Sequence, residues 1–157
     1  MSKSKIVGLM ALVVFAMGVL LVGDALAGES GKASGRLVAY GTTFHVLKVP
    51  DVEGHTITMY EGKGIGFSEK WGNYLYTFMG TLDVIKEISS SQAYLHATFP
   101  DGSTYTVKVE GKGAKGTFTF IKGTGKLEGI QGGGTFKSYP LDPNQWYTDW
   151  EAEYTLP

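Results

Sequence analysis

Three histidines, His45, His55 and His96, are the side chains of this sequence whose ordinary pKa lies closest to neutrality. No two of them stand two residues apart on one strand, the spacing that would let neighbouring imidazoles share a metal ion, so no metal is expected. A His–carboxylate dyad would need Glu61, Asp83 or Glu87 to approach one of them across strands. For proton transfer the candidates are His45, His96 and Glu61, each equally at home on a surface or a barrel rim. Gly111-Lys112-Gly113-Ala114-Lys115-Gly116 satisfies G-x-G-x-x-G, but Thr117-Phe118-Thr119-Phe120 follows it. That is a strand, where phosphate binding needs a helix N-terminus. Gly123-Thr124-Gly125-Lys126 runs into Leu127 in place of the Ser or Thr of a P-loop. The serines lack the G-x-S-x-G elbow of a hydrolase. Cysteine is absent, which removes thiolate catalysis, Cys-ligated metals and disulfides. No cofactor is implied.

The aromatic residues say more. They make up 13% of the chain, with 3 Trp, 9 Tyr and 8 Phe, and they recur at period two. Tyr40 and Phe44 share a face of one segment; Tyr74, Tyr76 and Phe78 share a face of another; Trp146, Trp150 and Tyr154 share a third. Rows of this kind read first as core, because rings bury large areas. They also read as the wall of a pocket, where Tyr adds a hydroxyl to orient a ligand. The candidate ligand-binding residues are therefore Tyr40, Phe44, Tyr74, Tyr76, Phe78, Trp146 and Trp150. Parity leaves open which face points inward, since Met59 and Tyr60 fall on opposite sides.

The elements that would position these rings are strands. Of the 23 glycines, all but Gly8, Gly18 and Gly23 lie after residue 27, and they cut that region into short alternating runs with no helical stripe. Strands are predicted over 36–49, 55–67, 74–87, 92–99, 104–110, 116–121, 135–139 and 146–154. Pro50-Asp51, Ser89-Ser90-Ser91, Pro100-Asp101-Gly102 and the Pro140 to Pro143 stretch are the predicted loops. Gly62, Gly64 and Gly66 fall inside the second strand, where they signal bulging or curvature. Eight strands joined by short turns suggest an all-β, antiparallel up-and-down barrel, with an open sandwich as the alternative. Closing the sheet removes both free edges.

Lys3 and Lys5 precede an apolar run from Ile6 to Val22, and Ala25-Leu26-Ala27 offers an A-x-A cleavage site. Residues 1–27 read as a secretory signal peptide, 28–34 as a flexible tail, and 35–157 as the barrel domain. Loss of Lys3, Lys5 and Asp24 takes the net charge from −1 to −2. That balance excludes the positive field nucleic-acid binding requires, and it provides no polybasic membrane patch. The only membrane contact expected is through the signal peptide. With no lipid-attachment cysteine, the expected destination is the bacterial periplasm or the medium.

The run Gly123-Thr124-Gly125-Lys126-Leu127-Glu128-Gly129-Ile130-Gln131-Gly132-Gly133-Gly134-Thr135-Phe136 resembles the glycine motif of small secreted bacterial barrels. These are calycin-like proteins related to allene oxide cyclase and to dirigent proteins. Gly62-Lys63-Gly64 and Gly80-Thr81 resemble the family's glycine-bearing second and third strands. The resemblance implies barrel geometry. It also implies a choice of roles, since the family holds isomerases and cyclases that enclose a hydrophobic substrate and dirigent proteins that steer phenoxy-radical coupling. No catalytic residue of the family is matched, so none is carried over. Three readings follow: an exported barrel that binds a small hydrophobic or aromatic ligand without catalysis, an isomerase or cyclase acting in the same cavity, and a structural, dirigent-like homo-oligomer.

Overall fold

The computed structural model describes residues 28–157; the leader expected over 1–27 lies outside the described residues. Eight strands follow one another: β1 (Ser30–Lys48), β2 (Thr56–Ser68), β3 (Gly72–Ile85), β4 (Ile88–Thr98), β5 (Thr104–Lys112), β6 (Lys115–Thr124), β7 (Gln131–Asp142) and β8 (Gln145–Thr155). Each pairs antiparallel with its sequence neighbours, and β8 returns to pair with β1, so the sheet is a closed barrel. One 3-10 turn, Gly125–Leu127, interrupts the strands between β6 and β7.

Several predicted boundaries move. Ser30–Ser34, expected in a flexible tail, form the start of β1 and pair with Thr155 to Glu151 of β8. The physical reason is closure: without them the second half of β8 would present unpaired amides on one edge. Ser89–Ser91, expected as a loop, belong to β4. The turn instead falls on Lys86 and Glu87, both at positive φ (47° and 73°), joining the paired residues Ile85 and Ile88. A two-residue loop of that geometry follows the strand twist, and register has imposed it on residues that do not favour it. β7 begins four residues before Thr135 and continues through Pro140 to Asp142, with its register shifted between Pro140 and Asp142. A bulge of this kind accommodates a proline that cannot donate to the ladder.

The interior is organised by rings lying on glycines. Across the β2–β3 ladder, Gly62 faces Phe78, Gly64 faces Tyr76 and Gly66 faces Tyr74. A Cβ at any of the three would overlap the facing ring. The same arrangement recurs across β1–β8, where Gly31 faces Tyr154 and Gly35 faces Trp150. β1 and β2 thus form a wall of small inward residues, including Ala33 and Ala39, over which the rings of β3 and β8 are laid. This is why the glycines are interior to strands: they are sites of close approach, and the strands run through them without breaking.

The two ends of the barrel differ. At one end Trp71, on the β2–β3 turn, folds inward and meets Tyr105, Phe120, Trp150 and Tyr154 at ring-centroid distances of 5.1–6.2 Å. Phe99, Leu127 and Ile130 are buried in the same cluster and complete a solid plug. The 123–134 glycine motif serves this plug, because Leu127 and Ile130 turn in beside Gly123, whose own Cβ would strike them. The other end carries the β1–β2 loop and the β3–β4, β5–β6 and β7–β8 turns, and it is open.

The packing predicts that Gly66→Ala lowers stability by about 1–3 kcal/mol, because the three atoms nearest the new methyl all belong to the Tyr74 ring. In a double-mutant cycle with Tyr74→Ala, thermal unfolding should show the two losses to be strongly less than additive. Additive losses would mean that the Tyr74 ring does not set the tolerance for side chains at residue 66.

Candidate functional site

The open end leads into a cavity of about 310 Å³. Its deep part is walled by Tyr74, Tyr76 and Phe78 of β3, Tyr105 of β5 and Trp150 of β8. Leu37, Ala39 and Ala93 leave the space that these rings do not fill. Nearer the mouth stand Phe44, Tyr60, Leu82 and Trp146, with hydroxyls at Ser91, Ser138 and Thr148. Ser138 and Thr148 are bonded to each other at 2.8 Å across β7–β8. Among the described residues no charged side chain lines the cavity.

Among the residues expected to bind a ligand, Tyr74, Tyr76, Phe78, Trp146 and Trp150 all line this one cavity, and so does Phe44 at its mouth. Tyr40 does not. The β1–β2 register shifts between Gly41 and Thr43, leaving Thr42 unpaired, so the inward face passes from odd to even positions. Phe44 then faces the inward Tyr60, whereas Tyr40 lies outside, 48% exposed and opposite Lys63. Parity had placed Tyr40 and Phe44 together, and the bulge separates them. Tyr60, Tyr105 and Phe118 were absent from the expected set and belong to the wall. Tyr105 was visible as the head of an alternating Tyr-Val-Val row, but nothing in the sequence said that its face met that of β3.

His45, His96 and Glu61 all lie on the outer surface of the barrel. Glu61 and His45 flank Met59 in an external depression, and His96 Nδ1 is 2.9 Å from the Thr106 hydroxyl across the outside of β4–β5. None of the three reaches the cavity, so proton transfer to a substrate inside has no support from them. Among the described residues no cluster of three or more His, Asp or Glu is placed to hold a metal ion.

The remaining histidine has an unexpected position. His55 ends the β1–β2 loop at the open end and is 9% exposed. Its Nδ1 lies 2.6 Å from Asp51 Oδ1, and its Nε2 lies 3.1 Å from Asp83 Oδ1 on β3. Asp83 was one of the carboxylates weighed as a dyad partner; Asp51, four residues before His55, was missed. With both ring nitrogens engaged, the imidazole clasps the loop to the barrel wall instead of serving a substrate. The hydrogen bond from Asp51 raises the His55 pKa above its ordinary value despite desolvation, and the same bond lowers that of Asp51.

The phenols of the cavity are the converse case. Burial pushes the Tyr74 hydroxyl up to about 12 and raises Tyr76 and Tyr105 as well. They stay neutral, and therefore stay donors, across the physiological range. Tyr74 Oη, Tyr76 Oη and Trp150 Nε1 are buried without a partner at hydrogen-bond geometry. Tyr105 and Trp150 lie close enough to the Tyr74 hydroxyl to offset part of that rise by hydrogen bonding, but neither reaches it at full hydrogen-bond geometry.

Two expectations follow. Tyr76→Phe removes an unpaired buried hydroxyl and keeps the ring on Gly64, so it should raise the stability of the barrel by on the order of 1 kcal/mol in denaturant titrations without added ligand. A loss of that size would reveal a partner for the hydroxyl. The His55 clasp should be pH-dependent with a defined sign. Because its folded pKa is raised, its contribution is complete below the ordinary value of about 6.5 and is lost as pH rises through the folded value. Thermal unfolding of the wild type against His55→Gln from about pH 5 to about pH 8 should show the difference shrinking as pH increases. A difference that grows with pH would overturn the assignment.

Comparison with known proteins places the fold. No family model matches the chain, and no curated protein matches it. Among solved structures, the pterocarpan synthase dirigent protein GePTS1 superposes with a TM-score of 0.55 at 12% identity, over 82% of this chain and 89% of that one. The pterocarpan synthase dirigent protein PsPTS1 superposes with a TM-score of 0.51 at 11% identity, over 82% of this chain and 96% of that one. At these identities the likeness is one of fold, and this chain shares the eight-stranded closed barrel of dirigent proteins.

Proposed function

We propose that this protein is an exported barrel that takes a small, largely apolar or aromatic ligand into its open end and binds it without catalysis. The observation that carries the reading is the ring-lined cavity of about 310 Å³ in a barrel whose other end is plugged. That volume lies at the lower end of the range for small-molecule sites, and apolar walls with a few polar groups are their usual composition. Affinity would come from taking the ligand out of water against the faces of Tyr76, Phe78 and Trp146, at about 2 kcal/mol for each ring-sized group fully buried. The barrel shared with the pterocarpan synthase dirigent proteins supports a role in holding or orienting an aromatic molecule. The outward position of His45, His96 and Glu61 favours binding over an isomerase or cyclase using those groups. The leader-like residues 1–27 support export.

The test is occupancy of the cavity. Neutral naphthalene- and phenylpropane-sized aromatics should change the intrinsic tryptophan fluorescence saturably, because Trp146 and Trp150 line the site. Val109→Phe adds a ring to the wall near the mouth and should weaken binding at least tenfold, equivalent to about 1.4 kcal/mol, while circular dichroism shows the strands intact. A saturable signal that Val109→Phe leaves unchanged would mean that the ligand sits elsewhere.

A further inference from the structure

The three unpaired donors narrow the ligand class. Tyr74, Tyr76 and Trp150 are 2%, 4% and 6% exposed, and each carries a buried polar atom with no partner at full hydrogen-bond geometry. All three line the same cavity, and Tyr74 neighbours both of the others. Tyr74 and Tyr76 could each be a phenylalanine at no cost in packing, and the buried hydroxyls and indole N–H are destabilising where they stand. The Tyr76 hydroxyl lies over Gly64, and the Tyr74 hydroxyl lies beside Tyr105 and the Trp150 indole without completing a bond to either. A ligand that offers an acceptor there gains bonds for which the protein gives up none. The indole N–H can only donate, and the raised phenols remain protonated. Among the described residues the wall holds no lysine, arginine, histidine or carboxylate to compensate a charge on the ligand.

We propose that the ligand portion inside the barrel is electrically neutral and carries an acceptor oxygen, such as that of a ketone, ester or aryl ether, which is taken up by the hydroxyls of Tyr74 and Tyr76 and the indole N–H of Trp150. The inference rests on the binding reading above and assigns the polar subsite within it. It distinguishes this cavity from a simple hydrocarbon sleeve, because an isostere lacking the oxygen would leave the donors as orphaned as they are in the empty barrel.

Three probes of similar size decide the matter: 2-acetylnaphthalene, 2-ethylnaphthalene and 2-naphthoate. Calorimetry on the wild-type protein should give the ketone at least a tenfold lower Kd than the hydrocarbon, with the carboxylate weakest. The carbonyl stretch of the bound ketone should move to lower frequency than in hexane. Tyr76→Phe and Tyr74→Phe should each reduce the preference for the ketone severalfold, read as the ratio of the ketone and 2-ethylnaphthalene Kd values within the same variant. Melting curves establish that each variant is folded, and the infrared shift on the wild type stands even if one variant is not. Equal binding of ketone and hydrocarbon, or a preference that survives in both variants, overturns the acceptor subsite and leaves the binding reading intact. Binding of 2-naphthoate as tight as that of the ketone overturns neutrality. Failure of all three probes to bind overturns the binding reading and the subsite with it.

Discussion

Rings laid on glycines set the dimensions of this barrel. An eight-stranded barrel has an interior about wide enough for side chains to fill it. Here large rings project from β3 and β8, and they fit only because β1 and β2 present Gly31, Gly35, Gly62, Gly64 and Gly66 beneath them. The arrangement is lopsided by construction. One quadrant supplies backbone and the flanking strands supply bulk, so each ring lies over a glycine of its neighbour and still meets rings from other strands, as Phe78 meets Trp146 at 5.4 Å and Tyr74 meets Tyr105 at 5.6 Å. A solid core follows where rings arrive from several strands at one level, as around Trp71, and a void remains where they do not. Closed sheets cannot collapse inward to remove that void, because the hydrogen-bonded circumference is fixed.

Closure depends on the same residues. The β1–β8 ladder runs over eleven paired positions, from Ser30 opposite Thr155 to Tyr40 opposite Gln145. Small inward side chains on β1 allow Trp150 and Tyr154 to lie across the seam. On the outside the seam is fastened by Arg36, whose Nε and Nη2 donate to the two carboxylate oxygens of Asp149 at 2.6 and 3.0 Å while its guanidinium covers Tyr147. The pair is exposed, so it secures register more than it adds stability. The weaker seam is β6–β7, where only Lys115 to Thr119 find partners on β7. Beyond Thr119 the 3-10 turn with its buried Leu127, and Ile130 after it, take over the closing role from backbone pairing.

Much of this was legible in the sequence, and the failures have physical causes. Period-two rows identified the strands, and Tyr74-Tyr76-Phe78 and Trp146-Trp150 were placed together because nothing within those segments breaks the alternation. Tyr40 was misplaced because one unpaired residue at Thr42 reverses every face after it, and a bulge is a matter of pairing that one strand does not encode. Its trace was Gly41 beside two threonines, which marks irregularity without giving its direction. Ser30–Ser34 looked like a tail because small polar residues carry no strand signal of their own. Their meaning lies on β8, in the rings that require them to be small. The His55 clasp escaped for a similar reason: Asp51 and Asp83 lie 4 and 28 positions away, and only the closed register brings both to one imidazole.

The two ends of the barrel divide the work between them. The plugged end concentrates the contacts that make a disulfide-free domain of this size stable, with Trp71, Phe99, Tyr105, Leu127 and Ile130 packed beside the β2–β3, β4–β5 and β6–β7 connections. The open end pairs a void with short turns, and its one long loop is fastened by His55 to both Asp51 and Asp83. A loop held by charge-assisted bonds at the rim can be kept in place without filling the space beneath it, which a hydrophobic anchor could not do. Leaving the mouth empty therefore costs the fold little, because the residues that hold the sheet closed are not the ones a ligand would displace. The unpaired phenols and indole stand between these two regions, at the floor of the void and the roof of the plug. There the surrounding packing is rigid enough to hold them in a place that their own energetics disfavour.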